Sequence, residues 1–312
     1  MSDKRNAVVA GVKDGGFLTR ESEDATTYRI PYGRIVGQRP GPQITIFGGQ
    51  HGTEYDGIEA VQRLYRTLQP NGVTGTIVIA LATNEASFLA WEQFSETPAP
   101  VAEMMTELAT GSQYLINCHG GEVTEGMNSY VICRLLGDDD LDRKARAMAD
   151  AFGVKYVSFS KYRGEPPDLG GVRPAWWLWP SKSMADELGI PEITPEVGER
   201  GSRDDHGTMY EGIINVLKTL GFLDGEPILH PKPQPIGDRF WLTSDHDGVF
   251  FPATRIDADV EKGQELGIVR DYFGDILQVI QAPASAKVMN MNWGMPVRKD
   301  AFLLWLGVIE NS

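Results

Sequence analysis

His51 and Glu54 stand three residues apart in Phe47-Gly-Gly-Gln-His-Gly-Thr-Glu-Tyr-Asp-Gly57. An imidazole nitrogen and a carboxylate oxygen at that spacing can both reach one metal ion, and together they are a zinc-type ligand pair. A catalytic zinc takes three protein ligands and keeps one position open, so the third ligand has to come from elsewhere. The best placed residue is His119, in Tyr114-Leu-Ile-Asn-Cys-His-Gly-Gly121. A lone His-x-x-Glu is also what an ordinary surface helix carries. Two glycine-flanked histidines, each closing an apolar run, favour a shared site.

The elements that must position these groups are legible around them. Ile44, Ile46 and Phe47 alternate as in a short strand, and Ile58, Val61, Leu64 and Tyr65 recur at helical spacing. His51 and Glu54 thus fall where a strand gives way to a helix, with Gly48 and Gly49 allowing a sharp turn. Further strands are expected at 76–82, 114–117, 128–134, 155–160 and 190–196, and helices at about 57–68, 99–110, 141–152 and 208–220. Residues 5–33 read as short strands and turns. Strands alternating with helices argue for a largely parallel sheet, whose ligand sites lie beyond the carboxyl ends of strands. Residues 161–182 form a long irregular stretch, and such loops are often functional.

The stretch Gly225-Glu-Pro-Ile-Leu-His-Pro-Lys-Pro-Gln-Pro235 has the proline density of a linker. Beyond it the texture changes to short β runs at 240–243, 248–251, 266–269, 276–280, 287–291 and 302–309. The expected organisation is therefore one large α/β domain over 1–225, a linker over 226–235 and a small all-β domain over 236–312. Val260-Glu-Lys-Gly-Gln-Glu-Leu-Gly267 resembles the turns of biotinyl/lipoyl-type sandwiches. Asn290 stands in a hairpin-tip context without the lysine a carrier would need, so this reads as a non-carrier domain that packs on the first or mediates a homo-oligomer.

The segment from Arg34 to Gly57, continued through His119 and Thr194-Pro-Glu-Val-Gly198, resembles the succinylglutamate desuccinylase/aspartoacylase family, a branch of the zinc carboxypeptidase (M14-like) fold. The resemblance covers nearly the whole chain. It implies an α/β fold, a zinc-carboxypeptidase-like mixed sheet flanked by helices, plus a small C-terminal all-β domain. It also implies His51, Glu54 and His119 as ligands of one zinc per chain, and Glu196 as general base and acid. A zinc ion there makes water acidic enough to attack at neutral pH, and stabilises the oxyanion of amide cleavage.

Three departures from the family pattern bear on the substrate. After Asn84, the position where the family has an arginine that polarises the scissile carbonyl is Gln93, which carries no charge. The Asn-Leu-Asn-Arg segment that grips a substrate carboxylate is missing, because Phe94-Ser-Glu-Thr-Pro98 runs straight into a helix. The family's Asp two residues before the second histidine is Asn117. Arg163, Arg173 or Arg134 could replace the lost arginines from another direction, and each could equally be a surface charge. Trp176, Trp177 and Trp179 could wall the pocket, holding an apolar or cationic group, or could simply be packing. His206 lies in a surface-turn context close behind the Glu196 strand. The expected substrate is a small-molecule amide, contacted by Asn84, Gln93, Arg163, Arg173 and Trp177, and lacking the usual amino-acid carboxylate. The competing readings are a metal-binding protein without catalysis and a carboxypeptidase-like peptidase.

Bulk properties bound the remaining classes. The 312-residue chain carries a formal charge of −14, which disfavours nucleic-acid binding and suits a neutral or cationic substrate. No apolar run is long enough for a membrane span and no secretory leader is legible. The two cysteines, Cys118 and Cys133, make no disulfide framework. Cys118 reads as a small buried hydrophobe. A cytoplasmic location follows as the default.

Overall fold

A computed structural model describes residues 10–92, 96–161, 183–198, 206–294 and 296–310. Gln93, Arg163, Arg173, Trp176, Trp177 and Trp179 lie outside the described residues, as does the side chain of His206.

The larger, N-terminal part opens with β1 (Val12–Glu21), β2 (Thr27–Val36), β3 (Arg39–Gly48), α1 (Tyr55–Thr67), β4 (Thr74–Ala80), α2 (Glu85–Ala90) and α3 (Ala99–Ala109). It continues with β5 (Tyr114–Cys118), β6 (Glu125–Met127), β7 (Tyr130–Leu135), α4 (Asp139–Phe152), β8 (Tyr156–Lys161), α5 (Met184–Leu188), β9 (Glu192–Glu196) and α6 (His206–Thr219). The C-terminal part is all strand: β10 (Gln234–Thr243), β11 (Gly248–Pro252), β12 (Asp259–Val260), β13 (Glu265–Arg270), β14 (Ile276–Gln281), β15 (Ala286–Asn292), β16 (Pro296–Val297) and β17 (Phe302–Ile309).

The central strands run β4-β3-β5-β9, all parallel, with the antiparallel β1-β2 pair on one side and β7-β8 on the other. The sheet is thus mixed at its flanks and parallel where the metal candidates are. Apolar side chains leave both faces, which is why β3, β4 and β5 read as continuous hydrophobic runs. On one face Ile44, Ile46, Ile77 and Ile116 pack under Val61 and Leu64 of α1, Met148 and Phe152 of α4, and Ile213 and Val216 of α6. On the other, Ile30, Phe47, Ala80 and Leu115 pack under Met104 and Met105 of α3 and Ala185 of α5. This is the α/β, zinc-carboxypeptidase-like architecture that the family resemblance implies.

Residues 12–36 differ from the expectation of short strands. They form a ten-residue antiparallel pair, in register from Val12↔Val36 to Glu21↔Thr27. Alternate residues of β1 face solvent, so its apolar signal is thin. Residues 226–233 carry neither helix nor strand, and β10 then pairs at once with β8 (Gln234↔Tyr156). The path β10-β17-β15-β12 continues the main sheet, while β14-β13-β11-β16 make a second, four-stranded sheet. Phe250, Leu266, Val269, Met291, Leu304 and Leu306 fill the core of this part. Asn290 lies within strand β15 rather than at a hairpin tip. No described helix is long and apolar enough to cross a membrane.

Candidate metal centre

The carboxyl ends of β3, β5 and β9 lie side by side, in register through Gly48↔Cys118 and Ile116↔Ile193. Each releases one piece of the site. Gly48 and Gly49 act differently in the turn after β3. Gly49 takes the left-handed conformation, at φ +73°. Gly48 permits close approach, since a Cβ there would lie 2.8 Å from the carbonyl oxygen of Gly57 in α1. The turn is tied to the end of β4, where the Thr83 backbone N–H and hydroxyl both donate to the Gly48 carbonyl, at 2.8 and 2.9 Å.

His51 and His119 converge on one carboxylate. His51 Nδ1 is 2.7 Å from Glu54 Oε1, and His119 Nδ1 is 3.1 Å from Glu54 Oε2. The two imidazole rings meet edge to face with centroids 4.8 Å apart. One ligand atom from each of the three residues falls within 4.8 Å of the others, so this cluster can hold a metal ion. Two ligand atoms at about 2.1 Å from one ion at the tetrahedral angle stand about 3.4 Å apart, close to these separations. Glu54 is buried, and among the described residues its Oε2 accepts no well-formed hydrogen bond, the His119 ring at 3.1 Å being its ion-pair neighbour, a shortfall that a cation would correct. The residues present fit a divalent ion.

Their electrostatics point the same way. Burial opposes protonation of His51, but the carboxylate of Glu54, helped by Glu122 and Glu125, carries its pKa up to about 9. Burial by itself would raise Glu54, and the adjacent His51 and His119 pull it down instead. The cluster thus favours positive charge at its centre.

Glu196 is the last residue of β9 and forms a parallel backbone bridge with His119. The His119 N–H donates to the Pro195 carbonyl at 2.9 Å, and the Val197 N–H to the His119 carbonyl at 3.2 Å. Part of Glu196 stays open to solvent, yet burial pushes its carboxyl well above the usual range, with Glu54, Glu125 and Glu122 adding repulsion. Gly198 follows at φ +99°, where a Cβ would lie 1.9 Å from the buried carboxylate of Asp56 in the first turn of α1.

The other sequence candidates are placed as follows. Asn84 is buried and caps α2, its side-chain oxygen accepting the Ser87 N–H at 3.3 Å. Asn117 donates its amide to Gln50 Oε1 at 2.8 Å. Arg134 does not come to the site. It is buried four residues along β7 from Tyr130, which pairs with Glu196, and its guanidinium is held by Asp186 and Ser160. Cys118 is buried, and burial with the nearby Glu54 keeps its thiol protonated. Two acids that sequence reasoning passed over, Glu122 and Glu125, are buried beside the cluster and act on His51. The only signal for them was a pair of acids three residues apart, directly after His119-Gly-Gly.

Residues 40–108 match the sequence model of the succinylglutamate desuccinylase/aspartoacylase catalytic domain. The N-alpha-acetyl-L-2,4-diaminobutyric acid deacetylase of Halomonas elongata is 23% identical over 288 residues, 84% of this chain and 80% of that protein. The product-bound ectoine utilization protein EutE of Ruegeria pomeroyi superposes with a TM-score of 0.81 at 21% identity, covering 97% of this chain and 98% of that one. A succinylglutamate desuccinylase/aspartoacylase from Rhodobacter sphaeroides gives a TM-score of 0.77 at 18% identity, over 96% of both chains. With its motif residues gathered at the ends of three parallel strands, the chain is similar to the succinylglutamate desuccinylase/aspartoacylase family in fold and, over residues 40–108, in sequence.

Proposed function

We propose that this protein is a zinc-dependent amidohydrolase that removes an acyl group from the nitrogen of a small molecule. The observation that carries the reading is the convergence of His51, Glu54 and His119, with Glu196 joined through the backbone to His119. Kinship with a deacetylase whose named substrate is an N-acetyl compound supports the reaction type.

One zinc per chain, held by His51, Glu54 and His119, would supply Lewis acidity for the scissile carbonyl and for the attacking water. Glu196 accepts the proton of that water and returns it to the departing nitrogen. Burial and three neighbouring carboxylates make it a stronger base than an ordinary glutamate, which suits this task. The backbone bridge between residues 119 and 196 keeps base and ligand at a constant separation.

The purified protein is expected to hold about one zinc per chain by metal analysis. It should release acid from N-acyl amines, and Glu196→Gln should lower kcat by about 10²–10⁴-fold while zinc stays bound. Full zinc occupancy with no turnover across neutral and cationic N-acyl compounds would leave a metal-binding protein without catalysis.

A further inference from the structure

In an antiparallel sheet one side usually packs and the other turns polar side chains to water. The β14-β13-β11-β16 sheet departs from that pattern. Phe250, Val269 and Ile280 point into the C-terminal core. Their neighbours along the strands point outward, and the pairing aligns these in two rows, Phe251↔Ile268↔Val279 and Val249↔Arg270↔Ile276. The single charge in the rows, Arg270, lies over the Phe251 ring at 5.1 Å.

The hairpin joining β13 to β14 adds an aromatic tip. Asp271 closes the turn, its Oδ1 accepting the N–H groups of Phe273 and Asp275, both at 2.9 Å. Turn positions of this kind usually carry polar residues or glycine. Here they present Tyr272 and Phe273, 81% and 94% exposed. Phe251, Ile276, Leu277 and Val279 are each 37–57% exposed. At about 200 Å² for a large apolar side chain, these exposures amount to roughly 700 Å² of apolar surface. A stable protein–protein contact covers about 800 Å² on each partner, which this face and its rim can supply. The edge of the sheet is also unguarded. β14 has no further strand beside it among the described residues, and Ile276 to Gln281 includes no charge and no proline. The opposite edge, β16, is two residues long and begins with Pro296.

Charge selects the occupant. At a formal charge of −14, two copies of this chain repel each other except across a surface without acids, and the two rows are such a surface. An anionic membrane would meet Asp271 and Asp275 on either side of the aromatic tip and repel them. A two-fold contact between copies avoids this. With the outer faces packed together and the strands roughly antiparallel, each tip overhangs the uncharged Ala282-Pro-Ala284 segment beyond the other copy's β14. The acids of the two tips then stay at opposite ends. We infer that the outer face of this sheet, with the Tyr272-Phe273 tip, binds a second copy of this chain and forms a two-fold symmetric dimer. The inference is independent of the reaction proposed above.

Sedimentation equilibrium of the full chain at about 10 µM, in about 0.15 M salt, is expected to give a dimer. Val279→Glu and Phe273→Glu each place an acid in the contact twice, once per copy, and should raise the dimer Kd by about a hundredfold or more. Both side chains are exposed in the single chain, so thermal unfolding of the variants is expected to stay close to that of the wild type monomer. Leu229→Glu changes an exposed apolar residue outside the face and should leave the dimer intact. A wild type still monomeric at about 100 µM overturns the inference, and it does so whether or not the protein floats with phosphatidylcholine vesicles. A dimer that both face variants leave intact, or that Leu229→Glu weakens equally, overturns it as well.

Discussion

At the scale of single residues, the site is governed by where charge is held. His51 is half-buried, and desolvation disfavours its charged form, yet Glu54 at 2.7 Å overrides that and lifts its pKa to about 9. A metal ligand must be deprotonated, so binding has to expel this proton. At pH 7.5, below the His51 pKa, zinc uptake is therefore expected to release at least one proton per chain. The release should fade as the pH is raised through about 9. Calorimetry in buffers of different ionisation enthalpy measures it, and the Glu196→Gln background removes any contribution from the base. Apparent affinity should correspondingly rise with pH over this range, and pH-independent uptake without proton release would contradict the account.

At the scale of elements, the arrangement depends on how tightly α1 and the end of β9 are seated. Gly198 is where they touch: its φ of +99° is unfavourable for any side chain, and a Cβ would collide with Asp56 at 1.9 Å. Asp56 lies two residues beyond Glu54, so displacing it would move a candidate ligand. Gly189, which closes α5, also has positive φ (+64°) but has nothing within 4 Å of the added atom. Gly189→Ala is expected to cost about 1 kcal/mol, the backbone strain alone. Gly198→Ala should cost more, about 2–4 kcal/mol, and should also weaken zinc binding. Thermal unfolding and zinc titration of the two variants separate the effects, and equal losses in both would show that the contact with Asp56 is unimportant.

At the scale of the whole molecule, the C-terminal strands are joined to the catalytic sheet at two places, β10 on β8 and β15 on β6. Tyr130 and Tyr156 of the first part are buried with Ile236, Met289 and Trp305 of the second. The Tyr130 and Trp305 rings lie with centroids 4.8 Å apart. A chain ending at residue 225 would expose both tyrosines and leave β6 unpaired. It is expected to lose cooperative thermal unfolding and to bind hydrophobic dyes. A sharp melting transition with zinc binding retained would instead show that residues 1–225 fold alone.

The sequence by itself singled out the candidate metal ligands and the candidate base. His51, Glu54, His119 and Glu196 are each announced by a short window of chain, in which an apolar run ends at glycines and a polar group of definite chemistry follows. Such signals are local, because strand periodicity and turn chemistry act over a few residues. Helices α1, α3, α4 and α6 were legible for the same reason, and α2 was not, being only six residues long behind its Asn84 cap. Tertiary structure alone decided what surrounds the ligands. Arg134, a candidate to meet the substrate, is instead claimed by Asp186 at the far end of its strand. Asn290, which looked like a hairpin tip, is a strand residue beneath Glu125. Glu122 and Glu125 became part of the site only when β6 found β15. That pairing joins segments far apart in the chain, and its register follows from the packing of two whole sheets rather than from any local preference.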